Sequence, residues 1–97
     1  MEKNQANVLI IDDDKDILLA AETFLKRHYQ KVVTLNDPKR IPELMENYAF
    51  DIFLLDMNFA MGLNTGQEGL HWLKRIIGIN PNAVVVLMTA YGDVELS

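Results

Sequence analysis

Aspartates and a threonine follow three of the four apolar runs in this sequence, and these side chains could support phosphoryl chemistry. Asp12 and Asp13 come directly after the first run, Asp56 after the third and Thr89 after the fourth. Carboxylates held close together raise one another's pKa unless a cation relieves their repulsion. Oxygen ligands without histidine or cysteine suit Mg²⁺, which takes one or two carboxylates and commonly binds phosphate oxygens as well. The pattern therefore predicts a magnesium-dependent site for a phosphoryl group.

A carboxylate, a cation and a hydroxyl in one pocket would be equipped for phosphoryl transfer. Asp56 stands alone at the end of its run, so we predict that it is the nucleophile and becomes an acyl phosphate. Asp12 and Asp13 are then predicted to be the acidic residues that bind the metal ion. Thr89 could donate a hydrogen bond to the phosphoryl group once it has arrived. Asp14 is predicted instead to cap the helix that follows it.

These residues can act together only if the elements that carry them bring the strand ends side by side. Short, continuous apolar runs predict strands buried on both faces. Segments with apolar residues at three- and four-residue spacing predict amphipathic helices between the strands. We predict strands at 8–11, 32–35, 52–55 and 83–88, and helices over about 14–28, around 41–48 and around 70–77.

The helical segments also predict which side chains face the core. The apolar face of the first helix is predicted to consist of Ile17, Leu18, Ala21, Phe24 and Leu25. The third helix is predicted to pack through Trp72, Leu73, Ile76 and Ile77 and to end at Gly78. Asn36, Asp37 and Pro38 offer a cap for the second helix. Pro42 removes a helical hydrogen bond unless that helix begins nearer to Pro42.

The order of elements is strand and helix in strict alternation, joined by short connections. This order predicts an α/β fold with a parallel sheet and right-handed crossovers. In such a sheet a ligand site lies outside the carboxyl ends of the strands, where the strand order reverses. If the first and third strands are neighbours, Asp12, Asp13 and Asp56 meet in one pocket there.

Composition narrows the class of protein further. The 97 residues contain nine Lys and Arg, fourteen Asp and Glu, and no cysteine, for a net charge of −5. One domain fits this length, and a disulfide scaffold, a cysteine zinc site and a thiol nucleophile are excluded. The acidic balance argues against nucleic-acid binding by this segment. No apolar run approaches the roughly 20 residues of a membrane span, so a cytoplasmic location is predicted.

The segments LIIDDDKDI, FLLDMN and VVLMTAYGD resemble the receiver domains of two-component response regulators. The last segment is most similar to the nitrogen-regulation class of sigma-dependent activators. The resemblance covers essentially the whole chain and implies a flavodoxin-like, doubly wound parallel sheet in the strand order 2-1-3-4. It also implies a phosphorylation-dependent switch that takes its phosphoryl group from a sensor histidine kinase and catalyses that transfer to itself. An output domain outside this chain, expected to be transcriptional, would receive the conformational change.

The resemblance assigns a role to each matching residue. It implies that Asp56 is the phosphoacceptor and that Thr89 is the switch hydroxyl. Asp13 would bind Mg²⁺ directly, Asp12 would act mainly through water, and Asn58 would supply a backbone carbonyl to the metal.

Two departures from the family pattern carry expectations of their own. The loop after Asp56 lacks the usual Met-Pro pair, and its glycine, matched by Gly69, comes later than in the family. The family's fifth strand, its lysine and its last helix are absent, so residues 1–97 are expected to form a single, incomplete receiver domain. The strand at 84–88 would then be an unprotected sheet edge. We therefore expect that the natural chain continues, or that this segment dimerises or exchanges elements through that edge.

Three other functions are alternatives to a phosphoacceptor site. A protein-interaction module that is never phosphorylated would use the acidic end only for docking. A dehalogenase-like phosphatase would need an Asp-x-Asp pair after the first strand, where this chain has three consecutive aspartates. A flavodoxin would need hydrogen-bond donors for a phosphate at that same place. The interaction module remains the alternative.

Overall fold

Parallel strands and helices alternate along the chain in the computed structural model, which describes residues 4–56 and 67–88. The strands are β1 (Asn4–Ile11), β2 (Tyr29–Leu35), β3 (Ile52–Asp56) and β4 (Val84–Met88). The α-helices are α1 (Lys15–Leu25), α2 (Ile41–Asn47) and α3 (Gln67–Ile79), and a short 3-10 helix (Pro38–Arg40) precedes α2. The predicted α/β class and order of elements are confirmed.

The strands form one parallel sheet in the order β2-β1-β3-β4, as the resemblance implied. β1 lies in the middle, with Ile11 opposite Leu35 of β2 on one side and opposite Leu55 of β3 on the other. The chain thus moves from β1 to one side of the sheet and later to the other. The strand order reverses between β1 and β3, which places the expected ligand site at the carboxyl ends of those two strands.

β1 begins four residues earlier than the apolar run predicted. Its polar first half is held by Asn7, whose backbone N–H donates to the Asp51 carboxylate at 2.9 Å and whose carbonyl accepts from the Asp51 N–H at 2.9 Å. The Asn7 side chain donates to the Ala49 carbonyl at 2.7 Å. These bonds join β1 to the start of β3, and a hydrophobic pattern cannot detect them.

Asp14 caps α1, as predicted, by accepting hydrogen bonds from the N–H groups of Asp16 at 2.9 Å and Ile17 at 3.4 Å. The helix ends at Leu25 and not near His28, where the spacing placed its end. The N–H of His28 donates to the Leu25 carbonyl at 2.9 Å, which closes a tight turn. β2 follows at once at Tyr29, so the basic residues at 26–28 form a turn and not a last helical turn.

Proline shapes the entry to α2. Asp37 caps the 3-10 helix by accepting from the Lys39 N–H at 3.0 Å. α2 then begins at Ile41, with Pro42 in its first turn, where a proline costs no hydrogen bond. Of the two starts that the sequence left open, after the cap at 36–38 or nearer to Pro42, the α-helix takes the second. α3 extends one residue beyond Gly78, so the predicted end at that glycine is wrong by one position.

Two apolar clusters lie on opposite faces of the sheet. The cluster under α2 and α3 contains Leu9, Ile11, Leu35, Ile41, Phe50, Phe53, Leu55 and Ile76, with Trp72 and Leu73 packed against it. The cluster under α1 is smaller and contains Val8, Ile10 and Leu18, with Ala21, Leu25, Ile52 and Leu54 beside it. α3 thus packs largely as predicted, although Ile77 is partly exposed.

The prediction that every strand is buried on both faces is wrong for β4. Val84 and Val86 are 56% and 45% exposed. α1 lies over β1 and β2, and among residues 4–56 and 67–88 it is the only helix on that face of the sheet. For the same reason Ile17 and Phe24, predicted on the buried face of α1, are exposed. Within residues 4–56 and 67–88, no helix is long and apolar enough to cross a membrane.

Candidate functional site

Asp12, Asp13 and Asp56 meet at the carboxyl ends of β1 and β3. Since Ile11 pairs with Leu55, the residues that follow them emerge at the same level of the sheet. One carboxylate oxygen from each of the three aspartates lies within 4.8 Å of the others. The sequence predicted this convergence, and within the part of the chain that the structure describes no other group of acidic or histidine side chains has metal-binding spacing.

The three carboxylates differ in their access to water. Asp12 and Asp56 are buried, whereas Asp13 is exposed. The site is therefore a pocket with two carboxylates in its floor and one at its rim. A ligand entering from solvent would meet Asp13 first.

Backbone hydrogen bonds fix the position of Asp12. Its N–H donates to the Leu35 carbonyl at 3.1 Å, which continues the β1–β2 pairing by one residue. Its carboxylate Oδ1 accepts from the N–H of Asp14 at 2.9 Å. Asp12 is thus held in the pocket by the same turn that directs Asp14 outward to cap α1.

Burial raises the pKa of the Asp12 carboxyl from its usual 3.8 to about 6. The hydrogen bond from the Asp14 N–H opposes this rise, and the negative charges of Asp56 and Asp13 add to it. At neutral pH the pocket therefore holds an Asp12 carboxylate that burial and the neighbouring negative charges disfavour. A cation bound among them would relieve both costs.

This set of donors fits Mg²⁺. All three side chains offer oxygen, neither histidine nor cysteine is among them, and Mg²⁺ prefers a few carboxylates together with water and phosphate oxygens. A buried carboxylate next to such a cation can also act as a nucleophile toward phosphorus. The arrangement can therefore bind a metal ion and accept a phosphoryl group at one place.

The remaining predicted site residues, Asn58 and Thr89, lie outside the described residues. Met88, the last residue of β4, pairs directly with Asp56. The end of β4 is therefore level with the pocket.

Sequence reasoning missed a cleft of about 370 Å³ between α1 and the end of β2. Its polar lining comes from Lys15, Glu22, Thr34, Asn36 and Arg40. These residues lie in three separate segments, so no spacing in the sequence could have indicated that they meet.

Comparison with known proteins agrees with this geometry. Residues 8–97 match the response regulator receiver domain family. The chain is 33% identical over 90 residues to sporulation initiation phosphotransferase F of Bacillus subtilis, which covers 92% of this chain and 68% of that protein. It is 28% identical over 95 residues to transcriptional regulatory protein ZraR of Escherichia coli, which covers 98% of this chain. The chain spans only 20% of the length of ZraR.

Among solved structures, the chain is similar to the N-terminal signal receiver domain of a two-component response regulator from Bacteroides fragilis. The two are 38% identical and superpose with a TM-score of 0.78. The match covers 96% of this chain and 73% of that one.

Proposed function

The chain belongs to the response regulator receiver domain family, and we propose that within it Asp56 is the phosphoacceptor while Asp12 and Asp13 are the metal acids. Members of this family act in phosphorylation-dependent signalling. The observation that carries the residue assignment is the meeting of the three carboxylates within 4.8 Å at the carboxyl ends of β1 and β3.

Asp56 is the better nucleophile because it ends its strand and its carboxylate lies in the floor of the pocket. In the proposed reaction an Asp56 oxygen attacks the phosphorus of a phosphohistidine. The new oxygen–phosphorus bond forms as the phosphorus–nitrogen bond breaks, and the departing imidazole nitrogen takes up a proton from solvent. The product is an acyl phosphate on Asp56.

Receiver domains bind Mg²⁺ at an acidic pocket, and here Asp12, Asp13, Asp56 and the backbone carbonyl of Asn58 would hold it. Bound there, the cation would neutralise charge on the phosphoryl oxygens. Asp13 is exposed at the rim and is suited to direct ligation. Asp12 already accepts a hydrogen bond from the Asp14 N–H, which suits a contact through water. Thr89 would donate a hydrogen bond from its hydroxyl group to the attached phosphoryl group.

The partners follow from the same proposal. Receiver domains interact with histidine kinases and with output domains. The similarity to ZraR, named a transcriptional regulatory protein, supports a transcriptional output located outside residues 1–97. We place this signalling in the cytoplasm. The net charge of −5 supports a segment that does not itself bind nucleic acid.

Self-association through the β4 side is part of the proposal. β4 is the last strand in the sheet order, so one of its edges has no strand beside it among the described residues. It carries five consecutive apolar residues and no charge, and such an edge pairs readily with another chain.

The test of the phosphoacceptor assignment is labelling of the 97-residue chain by acetyl phosphate. In Mg²⁺ we expect one phosphoryl group per chain by intact mass, and none in the presence of a chelator. Asp56→Asn should abolish the uptake. Asp16→Asn is the matched control, since Asp16 is an exposed aspartate near the pocket but outside it. Equal uptake by Asp56→Asn would show that the acceptor is misassigned, and no uptake by the unsubstituted chain would favour the interaction module.

A further inference from the structure

The cleft between α1 and the end of β2 has no part in the proposed phosphoryl chemistry. Its volume of about 370 Å³ lies within the range of small-molecule sites. β2 stands at the opposite end of the sheet order from β4, and every residue that lines the cleft is described. Asp12, Asp13 and Asp56 are not among these lining residues. A ligand bound there would therefore occupy a second site, separate from the acidic pocket.

One wall of the cleft is a stripe of α1. Lys15, Leu18, Leu19 and Glu22 follow one another at three- and four-residue spacing, so they share one side of the helix. At 1.5 Å per residue the stripe is about 10 Å long. Leu18 is buried, whereas Leu19 is 63% exposed although its side chain is apolar. The middle of this wall is therefore apolar, and its ends are charged.

The opposite wall is polar. Thr34 and Asn36 line it at the end of β2, and Arg40 lines it from the 3-10 helix that precedes α2. Thr34 carries a hydroxyl, Asn36 an amide and Arg40 a guanidinium, and all three groups can donate hydrogen bonds. This wall therefore suits a ligand that accepts hydrogen bonds.

The side chains that line the cleft leave an excess of positive charge. Glu22 is paired with Lys26 at 3.5 Å, so its negative charge is already balanced. Arg40 contacts Glu43 through Nε at 3.3 Å, and a guanidinium has further N–H donors beyond that one. Lys15 makes no ion pair within residues 4–56 and 67–88. The cleft is therefore suited to an anion, although the chain as a whole carries a net charge of −5.

We propose that this cleft binds a small organic anion, namely a carboxylate with a short apolar body. Lys15 follows β1 and Arg40 follows β2, so both cations lie at the carboxyl end of the sheet, where the carboxylate would accept their hydrogen bonds. The apolar body would lie along α1 and cover the exposed part of Leu19. A body of about six carbon atoms fits within the stripe of about 10 Å. The proposal does not depend on the phosphoacceptor role of Asp56.

The surroundings of the cleft indicate a weak affinity. Lys15 and Arg40 are both exposed, so water and salt screen their attraction for an anion. Asp13 and Asp16, which are exposed beside Lys15, oppose it. A ligand of about eight non-hydrogen atoms also gains only a modest binding free energy. We therefore expect a Kd in the millimolar range for such a carboxylate.

NMR titration of the isotope-labelled chain with sodium hexanoate, at constant ionic strength, tests the site. Hexanoate should shift the amide signals of Leu19, Thr34 and Asn36 in a saturable way. Acetate has the same charge without the longer apolar body and should bind about tenfold more weakly. Hexylammonium has a similar body with the opposite charge and should not shift these signals.

Substitutions separate the two parts of the proposed ligand contact. Arg40→Gln and Lys15→Gln should each weaken hexanoate binding by about threefold or more. Lys39→Gln is the matched control and should have no effect, because Lys39 is an exposed cation next to Arg40 that does not line the cleft. Leu19→Ser should weaken the binding of hexanoate more than that of acetate. Each substituted side chain is exposed, so the fold should be retained, which circular dichroism would verify.

Several results would overturn the proposal. One is the absence of saturable shifts at the cleft, and another is an equal response to hexylammonium. Equal shifts at Val84 and Val86, which are exposed apolar residues at the opposite end of the sheet, would show that hexanoate contacts apolar surface in general. Binding that Arg40→Gln and Lys15→Gln affect no more than Lys39→Gln does would also contradict the assignment.

Discussion

At the scale of single residues, the site brings three carboxylates together, and a cation bound among them would relieve their repulsion. Asp12 shows this most clearly, because burial raises its pKa to about 6 and the charges of Asp56 and Asp13 add to the effect. The same feature that makes the pocket suitable for Mg²⁺ therefore destabilises the metal-free protein. Function and stability are opposed at this residue.

Asp12→Asn should stabilise the metal-free protein at neutral pH. The folded-state pKa of Asp12 lies above its usual 3.8, so the folded protein binds the proton more tightly than the unfolded chain does. The free-energy cost of ionising Asp12 in the folded protein is absent below about pH 4. This cost grows between about pH 4 and pH 6, and it is constant above pH 6. At about 1.4 kcal/mol per pKa unit it amounts to roughly 2–3 kcal/mol. Urea unfolding of both proteins at pH 4 and pH 7, in the presence of a chelator, measures this difference in stability.

This prediction has two controls, a change of pH and the addition of Mg²⁺. The two proteins should differ in stability at pH 7 and much less at pH 4. Saturating Mg²⁺ should stabilise the parent chain more than Asp12→Asn, since ligand binding to the folded state adds to its stability. An Asp12→Asn chain that is less stable than its parent at pH 7 without metal would contradict this explanation.

At the scale of elements, the turn at Asp14 both caps α1 and positions a carboxylate of the pocket. The Asp14 carboxylate caps α1, while the Asp14 backbone N–H binds the Asp12 carboxylate at 2.9 Å. The side chain of Asp14 thus stabilises the helix, and its backbone positions a proposed metal acid.

Asp14→Ala should therefore lower stability while leaving the pocket able to bind metal. Loss of a helix cap costs about 1 kcal/mol, and the N–H that contacts Asp12 is retained in alanine. Urea unfolding and Mg²⁺ titration by NMR would measure the two effects separately. Asp14→Asn keeps an acceptor at the cap and should lose much less stability. If Asp14→Ala abolished Mg²⁺ binding while remaining folded, the carboxylate itself would be part of the site.

The elements also show what local sequence can and cannot predict. The cap at Asp14 follows from local chemistry and was predicted correctly. Local chemistry left the start of α2 open between the cap at 36–38 and a point nearer to Pro42. The end of α1 depends on the strand that follows it, because β2 begins at Tyr29. The first half of β1 depends on Asn7, whose partners lie more than forty residues away. Long-range pairing of polar residues leaves no periodicity that the sequence could reveal.

At the scale of the whole molecule, the site could be predicted because parallel strands bring their carboxyl ends to one edge. The meeting of Asp12, Asp13 and Asp56 required only the element order and the adjacency of β1 and β3. The exposure of Val84 and Val86 could not be predicted in the same way. An apolar run indicates a strand suited to burial, but whether a layer covers it depends on where α1 lies.

The described residues thus combine an acidic pocket at one end of the sheet with exposed apolar side chains along β4. We assign the pocket to the signalling role of the family and the β4 side to the proposed self-association. The two surfaces can be disrupted separately, through Asp56 and through Val86.

The central claim is that Asp56 carries the phosphoryl group, and chemical mapping of the modified residue tests it most directly. After treatment with acetyl phosphate and Mg²⁺, borohydride reduces an acyl phosphate and converts the aspartate that carried it into homoserine. Peptide mass spectrometry should find homoserine at position 56, and only in the sample that contained Mg²⁺. Homoserine at Asp12, Asp13 or any other aspartate, or at position 56 without a divalent cation, would contradict the account.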